Sequence, residues 1–250
     1  MNIKMKRVIF FLLSVMSFGI IAGTIGEAKS LFPTMVTISL GPAFENAGQT
    51  QTFNLQPDLE NTYQSIKNTH TLANGGVWLG KQFPFFGYEN VFHRYGLAIT
   101  ATSHATLTGN IWDDADPDFN NYTYSGKVEQ TSVVFEGKWL YQLTSSVLPY
   151  LSIGIGLGIN RSYDFIIKPQ IIEQIAPPTF ANNTQAAFTY TIGLGLEKQW
   201  DQHFATAIGY EFADWGKSNF AAAPGQTIGT GPVLNNLYTN EVLFSFIYTI

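Results

Sequence analysis

The chain contains no cysteine, so neither a disulfide framework nor a thiolate metal site can hold it together. Charge is scarce too: Asp, Glu, Lys and Arg make up 12% of residues, against about 25% in soluble domains. No run of Lys and Arg interrupts a formal net charge of −5, so nothing points to nucleic acid. After residue 28 there is no apolar run of the roughly 20 residues that a spanning helix requires. A helical membrane protein is excluded on that ground.

Aromatic residues are abundant: 15% of the chain, with 20 Phe and 12 Tyr. The beginning of the chain supplies a direction. Lys4, Lys6 and Arg7 precede Val8–Ala22, fifteen residues without a charge, and Gly26-Glu27-Ala28 offers small residues for cleavage. This is the pattern of an export signal over residues 1–28, leaving 29–250 as one domain. Without Lys4, Lys6, Arg7 and Glu27 the balance becomes 10 basic against 17 acidic residues.

The remaining chain alternates. In 34–44 Val36, Ile38 and Leu40 share one face, with Thr37, Ser39 and Gly41 on the other. Further period-2 segments follow over 72–83, 91–107, from about 122 to 141, 150–161, 186–197, 204–212 and 237–250. Within 150–161, Leu151 to Ile159 alternate with Ser152, Gly154, Gly156, Gly158 and Asn160. These glycines lie inside a strand with no helix after them, so they do not form a dinucleotide-binding turn; room in a narrow interior explains them. The eight strands are joined by connections of about 27, 7, 15, 8, 24, 6 and 21 residues. Such alternation of long and short matches an eight-stranded antiparallel transmembrane β-barrel, with tight periplasmic turns and long extracellular loops.

With these features the chain resembles the small eight-stranded outer-membrane barrels of the opacity-protein, OmpA and OmpW types. The wording TISLGPAFENAGQTQTFNLQPDLENTY at 37–63 resembles a set of outer-membrane barrel proteins from Legionella and Coxiella. The resemblance implies residence in the outer membrane of a Gram-negative bacterium, among its lipids and lipopolysaccharide. It also implies an assembly signal in the last strand, read by the barrel assembly machinery. Val242, Phe244, Phe246 and Tyr248 fit that alternating pattern, and Ile250 stands where an aromatic residue is usual.

Alternation also places charges inside. Arg94, Glu136, Lys138, Glu197 and Glu211 fall on the polar faces of their strands. Two readings follow: an ion-pair network that plugs the lumen, or a gate that opens by re-pairing. Glu197, close to the periplasmic rim, is expected to meet water. Trp139, Tyr141 and Trp200 sit beside tight turns and read as interface aromatics, and Trp78, Trp112 and Trp215 are assigned to the same belts. Asp113, Asp114, Asp116 and Asp118 crowd one loop without the spacing of a calcium loop, so no metal site or cofactor is assigned. His70, His93, His104 and His203 have no neighbouring serine and acid in a triad arrangement, and no enzyme activity is expected. Phe165, Ile166, Ile167, Ile171 and Ile172 either form an apolar contact tip or extend the barrel. The functional reading is a structural or adhesin-like surface barrel with a plugged lumen and a host or envelope ligand. The alternatives are a narrow channel for small or apolar solutes and, third, a lipid-modifying enzyme.

Overall fold

The computed structural model describes residues 32–57, 59–171 and 174–250; the expected export signal lies outside them. Among the described residues no helix is long and apolar enough to cross a membrane. Strands dominate: β1 Thr34–Glu45, β2 Gln51–Gln56, β3 Leu59–Ser65, β4 His70–Phe85, β5 Tyr88–Thr102, β6 Ala105–Asp113 and β7 Asn120–Tyr141. Then come β8 Val147–Pro169, β9 Asn183–Gln199, β10 Phe204–Asp214, β11 Ser218–Asn219, β12 Val233–Leu234 and β13 Tyr238–Thr249. One 3-10 turn, Pro117–Phe119, is capped by the Asp116 side chain.

Eight strands close into an antiparallel ring in the order β1-β4-β5-β7-β8-β9-β10-β13. Closure comes from the first and last strands, whose register runs from Met35 opposite Thr249 to Glu45 opposite Thr239. Every backbone edge of the ring is therefore paired, as a hydrocarbon environment requires. The outer face carries a continuous apolar belt. Leu40, Leu79, Leu97, Phe135, Leu157, Leu194, Ile208 and Phe246 are all exposed, one from each ring strand. A closed barrel with such a belt, longer connections at one end and tight turns at the other is the form in which chains cross the Gram-negative outer membrane.

The long connections differ from irregular loops. The first holds the β2–β3 hairpin, and β3 pairs with β6. β5 and β6 are one strand interrupted at Ser103-His104: β5 lies against residues 131–141 of β7, and β6 against 120–128. The expected loop 162–185 begins with eight residues of continuing β8, and the expected loop 108–122 starts and ends in strand. The result is a wall, β2-β3-β6-β7-β8, rising from one side of the ring.

The wall has a core of its own. Its inner face carries Tyr63, Leu107, Ile111, Tyr124, Phe165 and Ile167, and the last connections fold back to cover them with Phe180, Trp215, Phe220, Leu234 and Leu237. Phe165 stacks on Tyr124 at 5.3 Å and meets Phe220 edge-on at 4.9 Å. Phe220 and Leu237 have no exposed surface, and Trp215 keeps 2%. Polar loop compositions hid this core, because each connection contributes only a few large apolar residues. Phe165 and Ile167 belong to it, Ile166 faces outward and Ile171 is exposed; Ile172 lies outside the described residues.

Candidate functional site

The lumen is filled in layers. Nearest the tight turns, Arg94 on β5 reaches Glu197 on β9 with both terminal nitrogens, at 2.5 and 2.8 Å, while its Nε donates to Gln82 Oε1 at 2.9 Å. Glu197 is 2% exposed. The expectation that it faces water is therefore corrected: the strand tilt carries it under the Arg94 fork, which satisfies both carboxylate oxygens.

Above that pair lies an apolar patch of Met35, Trp78, Ala98, Val134, Ala205 and Ile247. Trp78 is thus a lumen residue and not part of a belt. Its position between outward Val77 and Leu79 gave the parity that sends it inward. Gly80 and Gly96 make its niche, since a Cβ at either would press on the indole at 2.5 and 2.7 Å. Trp215 is corrected in the same way. It is buried in the cap, where its Nε1 donates to Thr239 Oγ1 at 2.8 Å.

The next layer joins Lys138 to Glu136 at 3.1 Å. The Lys138 ammonium also lies 5.7 Å from the Trp78 ring and 5.4 Å from the Tyr150 ring. Glu211 shares a cavity of about 40 Å³ with these residues, Asn74 and Ser152. Among the described residues it forms no ion pair within contact distance. The five charges therefore form two separate pairs and one carboxyl that stands apart.

Two further acids were missed. Glu241 lies opposite Glu211 across β10 and β13; it accepts from Asn74 Nδ2 and, at 2.6 Å, from Thr239 Oγ1. Glu45 accepts from Gln130 Nε2 at 2.8 Å, and Gln130 is also bonded to Thr102. Both acids are 1% exposed. Their parity was readable: Glu45 shares a face with Ala43 and Gly41, and Glu241 with Ser245 and Ile247.

At the inner mouth a vestibule of about 170 Å³ is lined by residues that include Gln82, Arg94, Gln142, Gln199 and Gln202. At the outer mouth the last connection enters the barrel. Asn160 Nδ2 donates to Trp215 O at 2.7 Å and Lys217 O at 3.0 Å. Gly158 lets that segment in, since a Cβ there would stand 2.9 Å from Trp215 O.

The remaining candidates are dispersed. Trp139, Tyr141 and Trp200 are exposed near the tight turns, and Trp200 Nε1 donates to Thr206 Oγ1 at 2.9 Å. Phe244, Phe246, Tyr248 and Ile250 point outward, and Val242 is half-buried. His93 stacks on Phe83 at 5.7 Å, His203 on Tyr248 at 6.2 Å, and His104 meets Tyr163 edge-on at 6.5 Å. His70 lies opposite Glu45 in register. Asp113 accepts from Asn121 Nδ2 at 2.7 Å, and Asp116 from the Asp118 amide at 3.0 Å. These acids order their own turn. Among the described residues no group of three ligating side chains could hold a metal ion.

No protein-family model and no curated protein matches the sequence. Among solved structures, the chain is similar to Ail, the attachment invasion locus protein of Yersinia pestis, at 13% identity and a TM-score of 0.36, covering 86% of this chain and 98% of that one. It is similar to the outer membrane protein OprG from Pseudomonas aeruginosa at 12% identity and a TM-score of 0.43, covering 86% and 95%. The outer membrane protease OmpT from Escherichia coli gives 8% identity and a TM-score of 0.44, covering 91% and 99%. The class rests on the chain's own geometry: the paired ring, the apolar belt and the filled lumen define an eight-stranded outer-membrane β-barrel.

Proposed function

We propose that the protein is a surface-exposed structural or adhesin-like barrel whose activity is binding at its outer rim. The observation that carries this reading is the packed cap. Trp215, Phe220 and Leu237 are buried at the outer mouth, beneath a folded wall, so a solute moving along the axis would have to unpack a hydrophobic core. The ion pairs below act as a plug in the same reading.

The rim offers a contact. Phe119, Ile171 and Ile175 are exposed, the last at 90%. They stand on two connections joined by Gln170, whose amide donates to Asn121 O at 2.8 Å and whose Nε2 donates to Asn120 Oδ1 at 2.9 Å. Exposed apolar side chains held on an ordered scaffold are suited to protein or host-surface contact. Insertion by the barrel assembly machinery and a lipopolysaccharide surround belong to this proposal.

The test compares intact cells carrying Phe119→Ser, Ile171→Ser and Ile175→Ser together with cells carrying Glu136→Gln. Loss of host-cell or envelope binding in the first, with unchanged solute uptake in the second, supports the rim. Binding unaffected by the rim changes, together with altered uptake in E136Q, places function in the lumen as a narrow channel.

A further inference from the structure

The outward face of the wall is a second surface. Strand pairing sets Gln64, Asn110, Thr123 and Lys168 in one row across β3, β6, β7 and β8. Toward the belt the next rows are Thr108, Ser125 and Ile166, then Thr106 and Lys127; away from it stand Thr52 and Trp112, with Thr62 buried between them. Their strand neighbours Leu107, Ile111, Tyr122 and Tyr124 are buried in the cap core, so alternation sends these rows outward. Asn110 Nδ2 donates to Gln64 Oε1 at 3.1 Å, and the Thr52 and Thr62 hydroxyls are 2.6 Å apart.

No carboxylate occurs in these four rows, but Glu129 follows Lys127 on the same outward face of β7, where it is paired to Arg161 at 3.0 Å. The only charges within the rows are Lys127 and Lys168, on a chain of formal net charge −5; Lys127 is paired to Asp164, outside the rows, at 3.0 Å. The face is also continuous with the lipid-facing belt. On β7 the outward positions pass from exposed Phe135 and Val133 through Thr131, Glu129 and Lys127 to Ser125 and Thr123 within one unbroken strand. Ten residues of strand rise about 33 Å along their length, or about 25 Å with barrel tilt. At that height a chain in a Gram-negative outer membrane is flanked by the sugars of the outer leaflet.

We infer that this wall docks the oligosaccharide of outer-leaflet lipopolysaccharide. Sugar hydroxyls donate and accept, and so do the Thr, Ser, Asn and Gln side chains presented here, whereas a carboxylate only accepts. The flanking acids Asp164 and Glu129 are neutralised by Lys127 and Arg161, and Lys168, which forms no ion pair among the described residues, attracts saccharide phosphates. Trp112 adds a planar apolar ring for the C–H face of a sugar. The inference depends on outer-membrane residence and not on the adhesive rim.

The test uses the exported barrel purified in detergent, with lipopolysaccharide bearing a complete core or lipid A bearing only its first inner-core sugars. Thermal unfolding is followed by the heat-modifiable gel shift. The complete-core form should raise the midpoint by several degrees more than the truncated form. Thr108→Glu with Asn110→Asp should abolish that difference while leaving the response to truncated lipid A; Thr108→Ala with Asn110→Ala serves if the acidic pair does not fold. Equal stabilisation by both lipids overturns the inference, as does a full core-dependent gain in the folded variant. Binding of a protein or host glycan to this face without core discrimination overturns it too.

Discussion

Arg94 and Glu197 meet across the lumen as a two-pronged ion pair, 2.5 and 2.8 Å, with Gln82 holding the remaining guanidinium edge. The pair ties β5 to β9, which are not neighbours in the ring. Removing one member strands the other charge in a buried site, a cost of about 3–5 kcal/mol. Arg94→Ala should therefore lower the urea midpoint of folded barrel strongly. Arg94→Met with Glu197→Met should recover most of the loss, because the pair's desolvation disappears with it. Equilibrium unfolding in lipid or detergent reads both. If the double variant is as unstable as the single one, packing and not the stranded charge is responsible.

Tyr150 depends on glycine. Its hydroxyl occupies the space above Gly195, where a Cβ would stand 2.6 Å away, and above Gly209. Overpacking such a niche costs about 1–3 kcal/mol. Gly209→Val should reduce the fraction of folded, heat-modifiable barrel, and adding Tyr150→Ala should restore part of it, because at Gly209 the tyrosine and not the backbone is the nearest neighbour. Failure of the second change to rescue the first would mean that the glycine serves the backbone and not the tyrosine.

That glycine ladder shows how far the sequence could be read. Period 2 over Tyr150–Arg161 was enough to identify a strand, its lipid face and a crowded interior, because one buried face repeats every second residue. It was not enough to say what crowded the interior. Trp78 lies over Gly80 and its paired Gly96 on β5, and Tyr150 over its paired Gly195 on β9 and Gly209 on β10; a partner set by strand pairing leaves no mark on the alternation of one strand. The cap was hidden for the same reason: Tyr63, Phe165 and Phe220 come from three connections and form a core only once the wall is built. Glu45 and Glu241 were legible by parity; Glu45 ends β1, where the boundary between strand and loop is least certain, whereas Glu241 lies inside β13.

Trp215 should hold the outer mouth shut. It is buried beneath the wall and bonded through Nε1 to Thr239. Trp215→Ala removes a large core side chain, at about 3–5 kcal/mol. The cap should loosen before the ring does, since the ring keeps its own ladder. Limited proteolysis of intact cells should then cut within 214–237, and small-solute permeability should rise. A variant that resists protease like the parent would show that the cap does not depend on this residue.

Asp201 controls one tight turn by hydrogen bonds. Its carboxylate accepts from the His203 and Phe204 amides at 2.7 and 2.8 Å, and these bonds hold its pKa below the ordinary 3.8. A depressed folded-state value contributes stability above the unfolded value, and that contribution is lost as pH falls through the folded one. The parent should thus lose a small increment of stability in acid below about pH 4. Asp201→Asn should flatten that part of the curve without changing stability order at neutral pH by more than a surface substitution does. A variant with the same acid dependence as the parent would assign the effect to other carboxylates.

The last strand must close two seams. Tyr248 lies opposite Val36 on β1 and opposite Phe204 on β10, and Phe246 opposite Ile38 and Thr206. Both rings point outward, Phe246 and Tyr248 each about half exposed, so truncating them removes little from the lumen and opens no cavity there. Phe246→Ala with Tyr248→Ala should therefore leave the stability of the folded barrel nearly intact, yet lower the amount assembled in cells. Pulse-chase labelling with the heat-modifiable shift measures the rate of closure, and refolding of purified chain into lipid provides the control. Equal slowing in cells and in pure lipid would locate the defect in the strand itself; slowing in cells alone is what recognition by assembly machinery requires.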